Sequence, residues 1–222
     1  MSLLEKNIKA IVAVFLVLVI GGAAIAFVSN SSKTKEKEAQ ESYFLTEKKY
    51  FDLKQKSEAP GAAQAAPDYT QVKSEFESII VKHPKSVAAQ MSAIHLANIL
   101  SAEGKHADAL NILKKVENTT KGMVNFLVYQ QIGLLLADND KCQEAIGVWQ
   151  SVIDKKDAAF LHNELKLQQA LCYSKTNDLK KAEEILTNLS NQTANPDLSD
   201  SNISKEAEKY LRLLQFKKAS GT

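Results

Sequence analysis

Between His95 and Val116 the chain reads as two helical runs broken at a glycine. Apolar side chains recur three and four residues apart, yet a small residue, Ala97 or Ala109, stands where bulk is the rule. The arrangement returns over residues 130–153 and 167–189. Aligned on Ala109, Ala145 and Ala182, the units repeat at intervals of 36 and 37 residues. Twelve residues before each stands Ala97, Gly133 or Ala170; nine before stands Leu100, Leu136 or Tyr173. Four residues after stands Leu113, Trp149 or Leu186; seven after stands Val116, Val152 or Leu189. Gly104, Asp140 and Asn177 fall between the runs, and these residue types tolerate the left-handed backbone that ends a helix. The pattern predicts helical hairpins. Small residues let two backbones approach, the bulky one fills the space beside the contact, and each hairpin buries its apolar face only by stacking on the next.

The flanking pattern extends the array. Val72, Phe76 and Ile79 occupy corresponding places in a half-unit that closes near Pro84. Its partner is a helix over 41–57, where Tyr43 and Tyr50, like Phe44 and Phe51, lie seven apart on one stripe. The two are separated by a proline- and alanine-rich loop at 58–67, which no helix would keep intact. In the last unit Lys166 and Gln169 stand where apolar residues are expected, which predicts a rotated or partly exposed helix. Residues 201–222 read as a capping helix and tail, with Ser201 or Ser204 as N-cap and Tyr210, Leu211 and Leu214 on its stripe. No strand-like alternation occurs in the repeat region 68–200.

At the other end, after a short tail (1–7), residues 8–28 are apolar with a single edge charge, Lys9. At about 1.5 Å per residue they span roughly 31 Å, the thickness of a bilayer's hydrocarbon core. Two readings stand: a retained single-span anchor, or a signal peptide cleaved after Ala24-Ile25-Ala26. The length of the run favours the anchor. A polar, lysine-rich spacer follows at 29–40. Lysines flank the span on both sides, so charge bias does not orient it. Its likeness to an export signal favours placing the following domain outside the cytoplasm. The expected fold is all-α, an N-terminal transmembrane helix followed by an α-solenoid of helical hairpins.

The spacing of small, small and bulky residues resembles the tetratricopeptide repeat family, whose typical unit is 34 residues. The layout of tail, span, charged spacer and exported repeat domain, with "AAQMSAIHLANILSAEGKHADALNIL", resembles the single-span YfgM-type members. That resemblance implies an inner-membrane protein with a periplasmic repeat domain, accompanying the Sec translocon and periplasmic chaperones. Its partners would be translocating or envelope polypeptides.

Stacked hairpins coil so that the first helix of each lines a concave groove. On the alignment the groove positions are Met91, Ile94 and Asn98, then Leu127, Gln130 and Leu134, then Glu164, Leu167 and Leu171. That row is apolar for a wet surface. It reads either as core, with the aromatic helix able to cover it, or as a dock for an apolar or amphipathic segment of another protein. Trp149 reads as core.

Composition narrows the chemistry. A net charge of +2 and a single arginine, Arg212, argue against nucleic acid. His83, His95, His106 and His162 form no metal-ligand spacing, and His95 and His106 read as surface residues. No nucleophile elbow, phosphate loop or zinc-protease motif occurs, so neither cofactor nor catalysis is expected. Cys142 and Cys172 read as two small, partly buried thiols, or as a disulfide in an exported domain; a Cα separation beyond about 7 Å would exclude the bond. The expected function is a membrane-anchored, protein-binding scaffold. The alternatives are a homo-oligomeric envelope module and a regulatory repeat domain facing the cytoplasm.

Overall fold

A computed structural model describes residues 34–57, 67–192 and 198–220. The apolar run 8–28 and residues 58–66 of the expected loop lie outside them. Among the described residues no helix is long and apolar enough to cross a membrane.

The described secondary structure is helical throughout: α1 (34–57), α2 (Thr70–Lys82), α3 (Val87–Ala102), α4 (His106–Val116), α5 (Met123–Asp138), α6 (Cys142–Ile153), α7 (His162–Lys175), α8 (Leu179–Ser190) and α9 (Leu198–Ser220). A short 3-10 turn, Lys156–Leu161, precedes α7. Successive helices from α2 to α9 pack on one another, and α3, α5, α7 and α9 also touch in sequence. These alternations give a stack of antiparallel hairpins, the α-solenoid expected from the repeat.

The small residues sit at the crossings. Ala97, Ala109, Ala145, Ala170 and Ala182 are completely buried, and the bulky partners Leu113, Trp149 and Leu186 are buried with them. The hairpin turns are alike. In each, one residue takes a positive φ: Gly104 (76°), Asp140 (60°) and Asn177 (63°). The next amide reaches back five residues, Lys105 N to Leu100 O, Lys141 N to Leu136 O and Asp178 N to Tyr173 O, at 2.8–2.9 Å. This Schellman closure satisfies carbonyls the ending helix leaves open.

The first hairpin pairs α1 with α2. Tyr43 and Tyr50 lie 6.4 and 6.3 Å from the ring of Phe76, and Lys49 forms an ion pair with Glu75 at 2.7 Å. Phe44 is exposed and Phe51 half in solvent, whereas Tyr50 is buried and Tyr43 half-buried, so the expected single stripe is two adjacent ones, of which the tyrosine stripe lies deeper. The helix is already formed at 34, the first described residue, ahead of the expected start at 41. The charged spacer is made of good helix formers, and Ala39 is buried within it. At the other end α9 begins at Leu198, so Ser201 and Ser204 are helical rather than N-caps; the Ser204 hydroxyl donates to Ser190 O. Ala207 and Leu214 bury the stripe of α9 against Leu167, Ala170 and Leu186.

Candidate protein-docking face

The face along α3, α5 and α7 is held from one end by buried amides. Gln90, on the first turn of α3, is fully buried. Its Nε2 donates to Val116 O and to Asn125 Oδ1, both at 3.0 Å, and its Oε1 accepts from the Thr120 hydroxyl. Asn125 Oδ1 also accepts from Asn118 N at 2.9 Å. Leaving such groups unpaired would cost about 1–3 kcal/mol each, so this network fixes how α5 enters beside α3. Farther along, Gln131 Nε2 donates to Asn98 Oδ1 at 2.7 Å, joining the two helices at the surface.

Six of the nine expected groove positions lie on α3 and α5. Met91, Ile94, Leu127, Gln130 and Leu134 are half-buried, and Asn98 is exposed. Ile94, Leu127 and Leu134 pack against the core on one side and keep part of their surface in solvent. The backbone carbonyl of Gln130 accepts from Trp149 Nε1 at 3.2 Å, which ties the groove wall to the second layer.

On α7 the expectation needs correction. Leu167 is in the interior, 1% exposed, because α9 packs where the next repeat would open the groove and covers it with Ala207 and Leu214. Leu171 is half-buried and lines a small cavity, about 120 Å³, with Tyr210 and Leu213 of α9. Glu164 is half-buried and accepts from Gln168 Nε2 at 3.0 Å. The open apolar row therefore belongs to α3 and α5. Nor is Gln169 exposed: it is 5% accessible, and its Nε2 donates to Ile146 O and Gln150 Oε1.

The aromatic helix packs on α3. It stands beside α3 as the first helix of the stack, clasped through His95. That imidazole is enclosed by the rings of Tyr43, Tyr50, Phe51 and Phe76 at 5.1–6.0 Å, so it is not the surface residue expected. Its Nε2 lies 3.0 Å from Tyr43 Oη and 3.2 Å from Glu47 Oε1. Tyr43 donates its hydroxyl proton to Glu47, and a proton on His95 Nε2 completes the cluster by donating to both oxygens. Burial lowers the His95 pKa below the ordinary histidine value, with Glu47 opposing. Burial, then the bond to Glu47, raises that of Tyr43. The groups lock α1 onto α3 in a neutral imidazole state.

Cys142, at the start of α6, and Cys172, in α7, form a disulfide with a Cα separation of 5.2 Å. It joins one hairpin to the next. The disulfide is the second of the two readings the cysteines allowed, whereas the histidine clasp was not marked in the sequence. The clasp assembles residues about fifty positions apart, whereas the disulfide follows once the 36-residue repeat brings α6 beside α7.

A family model described as a tetratricopeptide repeat-like domain matches residues 2–162. Among solved structures, the crystal structure of YrrB, a TPR protein with an unusual peptide-binding site, is similar at 13% identity. The match covers 63% of this chain and 68% of that one, with a TM-score of 0.44. No curated protein matches the sequence.

Proposed function

The chain belongs to the tetratricopeptide repeat-like family, and we propose that it is a membrane-anchored scaffold that docks segments of other polypeptides. The observation that carries this reading is the row of half-buried apolar side chains, Met91, Ile94, Leu127 and Leu134, on two adjacent helices whose backbones are fixed by buried amides. A preformed apolar groove binds an amphipathic or extended segment by burial, without first ordering its own side chains. The work is done by shape, with no turnover and no cofactor.

The rest of the proposal places the scaffold. Residues 8–28 serve as a single-span anchor, and the family match, which begins at residue 2, includes them. The Cys142–Cys172 bond supports an exported domain, because such bonds persist in oxidising compartments such as the periplasm. In that setting the protein is a YfgM-type companion of the Sec translocon and periplasmic chaperones, receiving polypeptides as they emerge.

A photo-crosslinker at Leu134 should capture a polypeptide in intact cells, and the same probe on exposed Asn111 should not. Equal capture at both positions, or capture at neither, overturns the docking face. A reporter fused after Thr222 that is active only in the cytoplasm overturns the exported placement.

A further inference from the structure

The antiparallel alternation puts the starts of α1, α3, α5 and α7 on one edge of the stack, with the ends of α2, α4 and α6. Contacts fix this edge: Glu36 accepts from Val87 N at 3.3 Å, and Gln90 meets the loop before α5. The edge carries an unusual pairing. Each inter-hairpin loop presents exposed lysines beside an exposed apolar side chain: Lys82 and Lys85 with Val87, Lys121 with Met123, Lys155 and Lys156 with Phe160. Met123 is 62% exposed and Phe160 49%. Lys35 joins Lys82 and Lys85 around a single shallow pocket, although they lie nearly fifty residues apart in the chain.

Among the described residues none of these six lysines has an acidic partner within ion-pair distance. The opposite edge differs. Lys105, Lys141, Lys175 and Lys181 are each paired with a carboxylate, of Glu103, Glu144, Asp140 and Asp178, and among the described residues of its three turns Lys180 alone is without one. No large exposed apolar side chain lies in its three turns. The described acids on the first edge are fewer than its lysines: Glu36, which caps Val87, then Glu117, Asp154, Asp157 and Glu164, the last half-buried against Gln168.

The chain outside the structure says what faces this edge. Residues 29–33 lie between the apolar run and the described part of α1, a reach of at most about 18 Å. We propose that the edge bearing Lys35, Lys82, Lys85, Lys121 and Lys156 lies against an anionic phospholipid surface, with Met123 and Phe160 seated among the headgroups. The inference rests on the anchor reading. Lysines at an anionic surface each strengthen attachment about fivefold, and apolar tips between them enter the interface. The groove on α3 and α5 is then held side-on to the bilayer at a fixed height.

The test uses the full chain in nanodiscs of phosphatidylcholine, alone or with about a third phosphatidylglycerol, carrying a photoreactive lipid. Labelled peptides are mapped by mass spectrometry. With the anionic lipid, peptides around 82–87, 121–123 and 155–160 should be labelled at least about fivefold more than those around 139–141 and 176–178. High salt, or K82E/K85E/K121E with unchanged circular dichroism, should remove that excess. Equal labelling of both edges, with residues 8–28 labelled in the bilayer, overturns the proposal and leaves the anchor intact. A chain that does not enter nanodiscs overturns the anchor and the inference with it. Crosslinks between copies through this edge, in place of lipid labelling, would assign it to self-association and overturn the proposal.

Discussion

The indole of Trp149 occupies the space that a side chain on residue 133 would need. A Cβ on Gly133 would fall 2.1 Å from Trp149 Nε1, and the indole is 0% exposed. The crossing of α5 over α6 therefore requires glycine, where the other crossings accept alanine.

Gly133→Ala should destabilise the fold by about 2 kcal/mol, because overpacking outweighs the better helix propensity of alanine. The denaturation midpoint reports it. Trp149 is the sole tryptophan, so its emission should shift to longer wavelength as the bond to Gln130 O is lost. An unchanged midpoint would refute the close packing.

The His95 clasp should make stability depend on pH. Its folded pKa is lowered, so the unfolded chain binds the proton more readily. The contribution is full above the unfolded value of about 6.5 and is lost as pH falls below it. Urea midpoints at decreasing pH should drop more steeply for the native protein than for His95→Phe. Parallel curves would remove His95 as the cause.

Reducing the disulfide, or replacing Cys142 and Cys172 by serine together, should cost about 3–4 kcal/mol on the chain-entropy model for a loop of this length. Thermal unfolding with and without reductant measures it. Equal melting would mean that the bond does not form in solution.

Gln90→Leu should lower stability by about 2–3 kcal/mol, since Val116 O and the amide of Asn125 lose a buried partner. Amide exchange should quicken in the loop 117–122 before it does in α6. Uniform quickening would show that the network does not act locally.

The hairpins were legible because close packing is written in residue size. Ala97, Gly133 and Ala170 recur in register, and the turn residues have the backbone freedom their positions demand. Less was legible where a contact depends on distant partners. His95 shows nothing in its own sequence neighbourhood to mark it as buried; four aromatic rings from α1 and α2 enclose it. Leu167 fits the groove register as well as Ile94 does, but α9 covers it, and the end of an array is not visible in the repeat itself. Ser201 and Ser204 have capping chemistry, yet the helix had already begun.

Two apolar clusters meet at α7. Leu165 and Cys172 belong to the larger one with α1–α6, whereas Leu167 and Ala170 belong to the smaller one with α8 and α9. Only the first is stitched covalently. Pulled from its two ends, the molecule would shed α9 and α8 as a first extension step and then arrest, with α7 still moored by sulfur to α6. Tension applied at the C-terminus would thus spend itself on the tail while the groove on α3 and α5 kept its shape.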